Sequence, residues 1–193
     1  MMELYIVRHG QSEANLNGTY SGWAHVPLTE QGIADAARAG ELLKGIKFAK
    51  VYASDLKRAM QTCETALPGA DYETDPLLRE ISTGILTGTY HKAALEKYGD
   101  AHKRCTEARD YSRYGGESHQ MHCERVAKFM KKLEENPVEG SVAVFCHDGT
   151  TKAMLNYVLG VDMHPYRVRT DNGAVSIVCF DKGAWYLKRW NMV

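Results

Sequence analysis

The sequence predicts a three-layer α/β/α fold in which helices cover both faces of a mostly parallel central sheet. Short apolar runs alternate along the chain with longer segments whose apolar residues recur at helical spacing. Residues 4–7 are apolar throughout, which is typical of a strand in the middle of a parallel sheet. The length of 193 residues suits one domain of ordinary size, so we assign residues 1–193 to a single domain.

The first half of the chain supplies the next predicted elements. Residues 28–45 are expected to form a helix with Thr29 as its N-cap and Gly45 as its stop signal. Residues 51–54 follow as a second short strand, and residues 55–67 as a second helix.

The middle of the chain is less regular than its ends. From residue 71 the pattern loosens into turns and short amphipathic pieces, and we interpret about residues 81–114 as a small inserted cap. Regular structure returns with a helix over 116–137, a strand over 141–146 and a helix over 149–160. Two closing strands, 173–181 and 184–190, predict an antiparallel hairpin at one edge of the sheet.

Charge and cysteine content narrow the classes of function. The chain has 24 Lys and Arg against 24 Asp and Glu, so no whole-surface field attracts nucleic acid or anionic lipid, and neither is expected as a partner. The five cysteines are odd in number and contain no CxxC pair, which argues against a secreted disulfide framework. The first residues resemble neither a signal peptide nor a transit peptide, and no apolar run reaches membrane-spanning length, so we expect a cytoplasmic protein.

Two predicted strands end in the same way, with a histidine. The first runs into His9 and Gly10, and the strand over 141–146 runs into His147. Ligands bind at the carboxyl ends of the strands in an open α/β sheet, so the two histidines are expected to converge. We expect Gly10 to leave room for a ligand to approach the backbone.

Charged residues near these strand ends predict an anion site. Arg8 and Arg58 bring two guanidinium groups to the same edge, and planar guanidinium groups match the oxygens of a phosphate. A histidine between two arginines has its cationic form disfavoured, so His9 is expected to be neutral and nucleophilic. Glu80 can supply the acid for a leaving group, because a nearby phosphate dianion would raise its pKa.

Five blocks of sequence resemble the histidine phosphatase superfamily, also called the phosphoglycerate mutase-like family. In chain order they are RHGQS with Asn15, SDLKRAMQT, LREI with Gly84 and Gly88, GGES, and CHDG. The resemblance extends over about residues 4–178. It implies that His9 accepts the phosphoryl group and that Glu80 donates a proton. It also implies that the phosphate is held by further residues, namely Arg8, Arg58, His147, Asn15 and Ser21.

The chain departs from the usual family pattern beside His147. Cys146 and Asp148 stand where many members carry a small hydroxyl residue and a glycine. Asp148 is therefore expected to raise the pKa of His147.

Other motifs admit weaker interpretations. His119, His122 and Cys123 have helical spacing that suggests a metal site, but without a second ligand cluster a solvated helix face is the preferred interpretation. The segment after Cys146 resembles a cysteine phosphatase loop, but Lys152 replaces the arginine that this chemistry needs. Four residues of the cap either face a substrate or form an ordinary surface loop, namely Arg109, Tyr111, Arg113 and Tyr114.

The predicted function is metal-independent hydrolysis of small phosphorylated metabolites through a phosphohistidine on His9. No metal or other cofactor is expected. A phosphoglycerate mutase and a catalytically idle relative that binds phosphorylated ligands are the alternatives. The closing hairpin offers an exposed edge through which two copies could pair as a homodimer, although the sequence does not specify the oligomeric state.

Overall fold

The computed structural model describes residues 1–162 and 167–193, which form a layered α/β structure. Its strands are β1 (Met2–Arg8), β2 (Phe48–Ala53), β3 (Glu73–Thr74), β4 (Gly140–Cys146), β5 (Val175–Asp181) and β6 (Ala184–Met192). Its α-helices are α1 (Glu13–Asn17), α2 (Glu30–Leu43), α3 (Lys57–Ala66), α4 (His91–Ala108), α5 (His119–Glu135) and α6 (Asp148–Leu159). Short 3₁₀ turns cover Pro76–Leu78, Gly84–Leu86 and Ser112–Tyr114.

The strands form one sheet in the order β3-β2-β4-β1-β5-β6. The pairs β3–β2, β2–β4 and β4–β1 are parallel, while β5 runs antiparallel to both of its neighbours. The predicted mostly parallel sheet and the terminal edge hairpin are therefore confirmed. Lys182 and Gly183 make the hairpin turn with φ values of 50° and 80°, which suits a two-residue turn.

One apolar cluster lies on each face of the sheet, as a three-layer fold requires. On one face, α5 and α6 contribute Phe129, Met130 and Met154, and on the other, α2 and α3 contribute Leu43 and Cys63. Thr29 caps α2 as predicted, because its side chain accepts a hydrogen bond from the Gly32 N–H. The sheet is thus covered on both faces.

The region interpreted as a cap contains a long helix that the sequence pattern did not predict. Helix α4 spans 18 residues, with a kink at Gly99 where φ is 57° and ψ is −146°. Only Ala94 and His102 are buried within it. A small apolar cluster lies in this region, where Ile81 and Tyr111 pack with Tyr20 from the first part of the chain. The boundaries of the cap stay a prediction.

Among the described residues, no helix is both long and apolar enough to span a membrane.

Candidate active site

Two histidines meet at the carboxyl ends of the parallel strands β1 and β4. Arg8 pairs with Cys146 in the register, so the next residues of the two strands, His9 and His147, lie side by side. Their ring centroids are 5.2 Å apart, and both side chains are buried. The His9 N–H also donates to the Cys146 carbonyl at 2.9 Å, which fixes the backbone where the strands end. The predicted convergence of these histidines is confirmed.

The ring of His9 is held in one tautomer. Its Nδ1 lies 2.6 Å from the Gly10 carbonyl oxygen, and because that oxygen can only accept, Nδ1 carries the hydrogen. The lone pair then lies on Nε2. Burial, followed by the charges of Arg58 and Arg8, holds the pKa of His9 well below its usual range. His9 is therefore neutral at pH 7, with a nucleophilic nitrogen.

The glycine after His9 has a different role from the one expected. A Cβ on Gly10 would lie 2.1 Å from the Gly32 carbonyl oxygen at the start of α2. Close packing of the strand end against the helix therefore requires a glycine here, whereas the expectation was room for a ligand.

His147 is also neutral, which corrects the expectation about Asp148. Burial and the charges around the site, with Arg58 first among them, hold the pKa of His147 well below its usual range. The Asp148 carboxylate instead faces cations, with Oδ2 at 2.9 Å from Lys152 Nζ and Oδ1 at 3.7 Å from Arg8 Nη1. The prediction that Asp148 raises the pKa of His147 was wrong because this carboxylate is engaged elsewhere.

Two arginines border the histidines, each with part of its guanidinium group already engaged. Arg58 is completely buried and donates through Nη1 and Nη2 to the carbonyls of Ala24 and Gly22, at 2.9 and 3.0 Å. Arg8 donates through Nη1 to the Thr170 carbonyl. Burial lowers the pKa of Arg58 to about 10, which leaves it protonated at neutral pH.

Three buried side-chain nitrogens within residues 1–162 and 167–193 have no hydrogen-bond partner, and all three belong to this site. They are Arg8 Nε, Arg58 Nε and His147 Nδ1. Leaving a buried donor unpaired costs about 1–3 kcal/mol, so native proteins rarely leave such groups unpaired without a reason. The two guanidinium nitrogens can only donate, and Nδ1 of the neutral His147 donates in one of its two tautomers, so an anion with acceptor oxygens would suit these groups.

Glu80 approaches from the start of the predicted cap. Its Oε2 accepts from the Gly149 N–H at 3.0 Å, and its Oε1 accepts from the Ile81 N–H at 2.8 Å. Arg109 Nη2 lies 3.3 Å from Oε1. Burial raises the pKa of Glu80, but Arg109, the two N–H groups and Arg58 together lower it further, so the net shift is downward. The expected rise beside a phosphate dianion stays a prediction for the bound state.

The backbone of Glu80 is held by residues that the sequence patterns did not identify as part of the site. Trp23 Nε1 donates to the Glu80 carbonyl at 2.8 Å, and Arg125 Nη2 donates to the same oxygen at 3.1 Å. Arg125 also pairs with Glu117 at 2.8 Å. The GGES block, which contains Glu117, was the sequence signal for this pair, but Arg125 lies eight residues further along the chain and outside the block.

An open cavity of about 570 Å³ adjoins Glu80 and His9. Of the predicted site residues, those that line it are Arg8, His9, Asn15, Ser21 and Glu80, while Arg58 and His147 are fully buried and are not among its lining residues. Of the four cap residues, Arg109 and Tyr111 line the cavity. Tyr114 is buried with its hydroxyl 3.2 Å from His102 Nδ1, and the Arg113 guanidinium lies over the Tyr114 ring at 5.5 Å. The cap thus contributes two of these four residues to the cavity.

Asn15 has a local structural role in addition to its place in the cavity wall. Its Oδ1 accepts from the Ser12 N–H at 3.0 Å, and Ser12 in turn caps α1. This reciprocal capping leaves the Asn15 amide NH₂ as the group that can reach a ligand. Phosphate contacts by Asn15 and Ser21 stay predictions.

The histidines of α5 do not lie together on a solvated face. His122 is 1% exposed, and its Nε2 lies 3.2 Å from Thr150 Oγ1. Burial, followed by the charge of Arg125, holds the pKa of His122 well below its usual range. The solvated-face interpretation was therefore wrong for His122. Within the described ranges, no group of three or more His, Cys, Asp or Glu side chains is arranged to hold a metal ion.

Comparison with known proteins shows similarity over the full length of the chain. A family model for the histidine phosphatase superfamily (branch 1) matches residues 4–193. The adenosylcobalamin/alpha-ribazole phosphatase of Escherichia coli strain K12 is 28% identical over 181 residues, which cover 92% of this chain and 89% of that protein. A 2,3-bisphosphoglycerate-dependent phosphoglycerate mutase of Corynebacterium glutamicum is 45% identical, but over 105 residues, 51% of this chain and 42% of the mutase.

A solved structure has the same fold over the whole chain. The crystal structure of a putative alpha-ribazole-5'-P phosphatase from Escherichia coli K-12 superimposes with a TM-score of 0.91 at 27% sequence identity. The superposition covers 100% of this chain and 98% of the other.

Proposed function

Because the chain belongs to the histidine phosphatase superfamily, we propose that it is a metal-independent phosphomonoester hydrolase that acts on small phosphorylated metabolites through a phosphohistidine on His9. The observation that supports this most is the set of buried nitrogens without partners on Arg8, Arg58 and His147. A phosphoryl group has three oxygens that can accept from such donors, and it carries the charge that the two guanidinium groups would neutralise.

The first chemical step forms a bond from His9 Nε2 to phosphorus and breaks the ester bond between phosphorus and oxygen. The hydrogen bond from Nδ1 to the Gly10 carbonyl supports this role, because it keeps the lone pair on Nε2. Arg8, Arg58 and His147 stabilise the charge on the phosphoryl oxygens as the bonds change. The departing alkoxide takes a proton from Glu80, which the phosphate dianion has helped to protonate.

The second step releases phosphate. The Glu80 carboxylate accepts a proton from a water molecule, whose oxygen attacks phosphorus while the bond from phosphorus to His9 breaks. Phosphate leaves, and His9 returns to its neutral form. Unaided phosphate monoester hydrolysis is so slow that the site must lower the barrier by on the order of 20 kcal/mol.

The similarities favour a phosphatase over a mutase. The phosphatase relative matches along nine-tenths of both chains, whereas the mutase relative matches about half of this chain. The cavity that Glu80 lines is also open to solvent, which suits a reaction that must admit water. All of the residues implied in catalysis are present, which disfavours an idle binding relative.

A panel assay tests this proposal. Purified protein is incubated with phosphomonoesters, including sugar phosphates and 3-phosphoglycerate, with a chelator present, and both phosphate release and isomerisation are measured. We expect phosphate release that the chelator does not reduce. Isomerisation of 3-phosphoglycerate without net release would favour the mutase. Tight vanadate binding without turnover of any ester would favour the idle relative.

A further inference from the structure

Ser54 connects the end of β2 to the buried ring of His147. It is the residue after the last one of the strand, its side chain is fully buried, and its Oγ lies 2.8 Å from His147 Nε2. The Leu56 N–H donates to the same Oγ at 3.3 Å. The sequence-based site did not include Ser54.

The hydrogens between Leu56, Ser54 and His147 can be placed by asking which of these groups can donate and which can accept. In the described part of the chain, Ser54 Oγ has two partners, Leu56 N and His147 Nε2. The Leu56 N–H can only donate, so the serine hydroxyl hydrogen is available for the other contact. If His147 Nε2 also donated, a buried hydroxyl hydrogen would have no acceptor, at a cost of about 1–3 kcal/mol. The serine therefore donates, and Nε2 accepts.

We propose that Ser54 is a positioning residue that fixes His147 as the tautomer with hydrogen on Nδ1. This proposal rests on the proposed function, because it makes His147 Nδ1 a donor toward a phosphoryl oxygen. It explains why Nδ1 is buried without a protein partner. In the opposite tautomer, Nδ1 would present a lone pair, which repels an oxyanion.

Two further facts show why a residue that fixes the tautomer of His147 is needed. A protonated imidazole would donate from both nitrogens without help, but burial and Arg58 lower the pKa of His147, so the ring is neutral. A neutral imidazole carries one hydrogen, and the group bound at one nitrogen decides where it lies. Ser54 is therefore the residue that decides which nitrogen of His147 carries the hydrogen.

Nitrogen NMR tests the tautomer directly and does not require catalysis. In protein labelled with ¹⁵N-histidine, the His147 signals are assigned by their loss in His147→Ala. We expect the unliganded wild type to show protonated Nδ1 and unprotonated Nε2. Ser54→Ala should give a mixture of tautomers. A wild-type ring with hydrogen on Nε2, or an Nδ1–H population that is unchanged in Ser54→Ala, overturns the proposal.

Kinetics and a matched control separate positioning from general damage. Ser176 is also a buried serine whose Oγ accepts a backbone N–H, from Asn191 at 3.0 Å, but it lies within β5. We expect Ser54→Ala to lower kcat by about 10-fold or more with little change in KM, and Ser176→Ala to leave both unchanged. Equal losses in the two variants would overturn the proposed role of Ser54. If neither wild type nor variant hydrolyses any ester, the proposed function fails, while the NMR result still decides the tautomer.

Discussion

At the scale of single residues, the hydrogen on each imidazole decides what that ring can do. His9 donates from Nδ1 to Gly10 and keeps its lone pair on Nε2 for the ligand. In the proposed tautomer, His147 also carries its hydrogen on Nδ1, but its Nε2 accepts from Ser54, so Nδ1 is the nitrogen left for the ligand. Both rings are neutral because burial, followed by the charge of Arg58, disfavours their charged forms. One ring is thereby suited to attack and the other to donate.

Arg109 sets the proton affinity of Glu80 from the cap side of the cavity. We expect Arg109→Gln to raise the pKa of Glu80, because the cation that lowers it most is removed. If protonated Glu80 is the acid, activity falls as pH rises through this pKa. Because the phosphate dianion protonates Glu80 in the complex, the kcat profile reports this acid, and its alkaline limb should therefore move to higher pH by about one unit, which is the scale of a close charge pair.

Arg113→Gln is the control for this change of charge. Arg113 lies in the same cap segment, but it contacts the Tyr114 ring. The pH profile of Arg113→Gln should have its alkaline limb at the same pH as that of the wild type. A limb that stays in place in Arg109→Gln would show that Arg109 does not govern the acid.

At the scale of elements, the backbone at the start of α6 lies close to the Glu80 carboxylate and donates a hydrogen bond to it. A Cβ on Gly149 would lie 2.2 Å from Glu80 Oε1 and 2.4 Å from Arg109 Nη2. The Gly149 N–H in the first turn of this helix can therefore donate to the Glu80 carboxylate only because residue 149 has no side chain. The dipole of the helix also favours the negative charge of Glu80 at this end.

Gly149→Ala should displace Glu80 and lower kcat by about 100-fold, a loss typical of a misplaced catalytic group. The control is Gly160→Ala at the other end of α6, where φ is 64° and nothing lies within 4 Å of an added Cβ. This control should lose about 1 kcal/mol of unfolding free energy and keep its kcat. Steady-state kinetics and urea denaturation on both variants make the comparison, and full activity in Gly149→Ala would refute the role of this contact.

The sequence was most informative where an element carries its own pattern. β1 and β4 could be predicted because each contains a continuous apolar run, residues 4–7 and 142–146, and the residues that follow the strands could be placed because parallel strands end together. Helix α4 could not be predicted, because Gly99 interrupts it and only two of its residues are buried. Its position depends on tertiary contacts, and so does the approach of Arg109 to Glu80.

At the scale of the whole molecule, three of the buried histidines have the largest effect on the link between folding and pH. His9, His122 and His147 all have pKa values held well below the usual range, with burial as the largest cause. The unfolded chain binds protons at these positions below about pH 6.5, while the folded chain does not. Acid therefore favours the unfolded state.

We expect the free energy of unfolding to fall as the pH falls from 7.5 to 5.5. Below pH 6.5 each of these histidines contributes a slope of up to about 1.4 kcal/mol per pH unit. Urea denaturation at several pH values measures this slope. His122→Gln should reduce the slope by the contribution of one histidine. His119→Gln is the matched control on the same helix, since His119 is partly exposed. An unfolding free energy that is constant over this range would contradict the account.

The most direct test of the central claim is to trap the phosphoryl group on His9. The protein is mixed with a ³²P-labelled phosphomonoester that it hydrolyses, quenched in alkali within one turnover, and digested for peptide mapping. The account predicts acid-labile, alkali-stable label on the peptide that contains His9, no label in His9→Ala, and wild-type labelling in His119→Ala. Turnover without label on this peptide, or labelling that persists in His9→Ala, would contradict it.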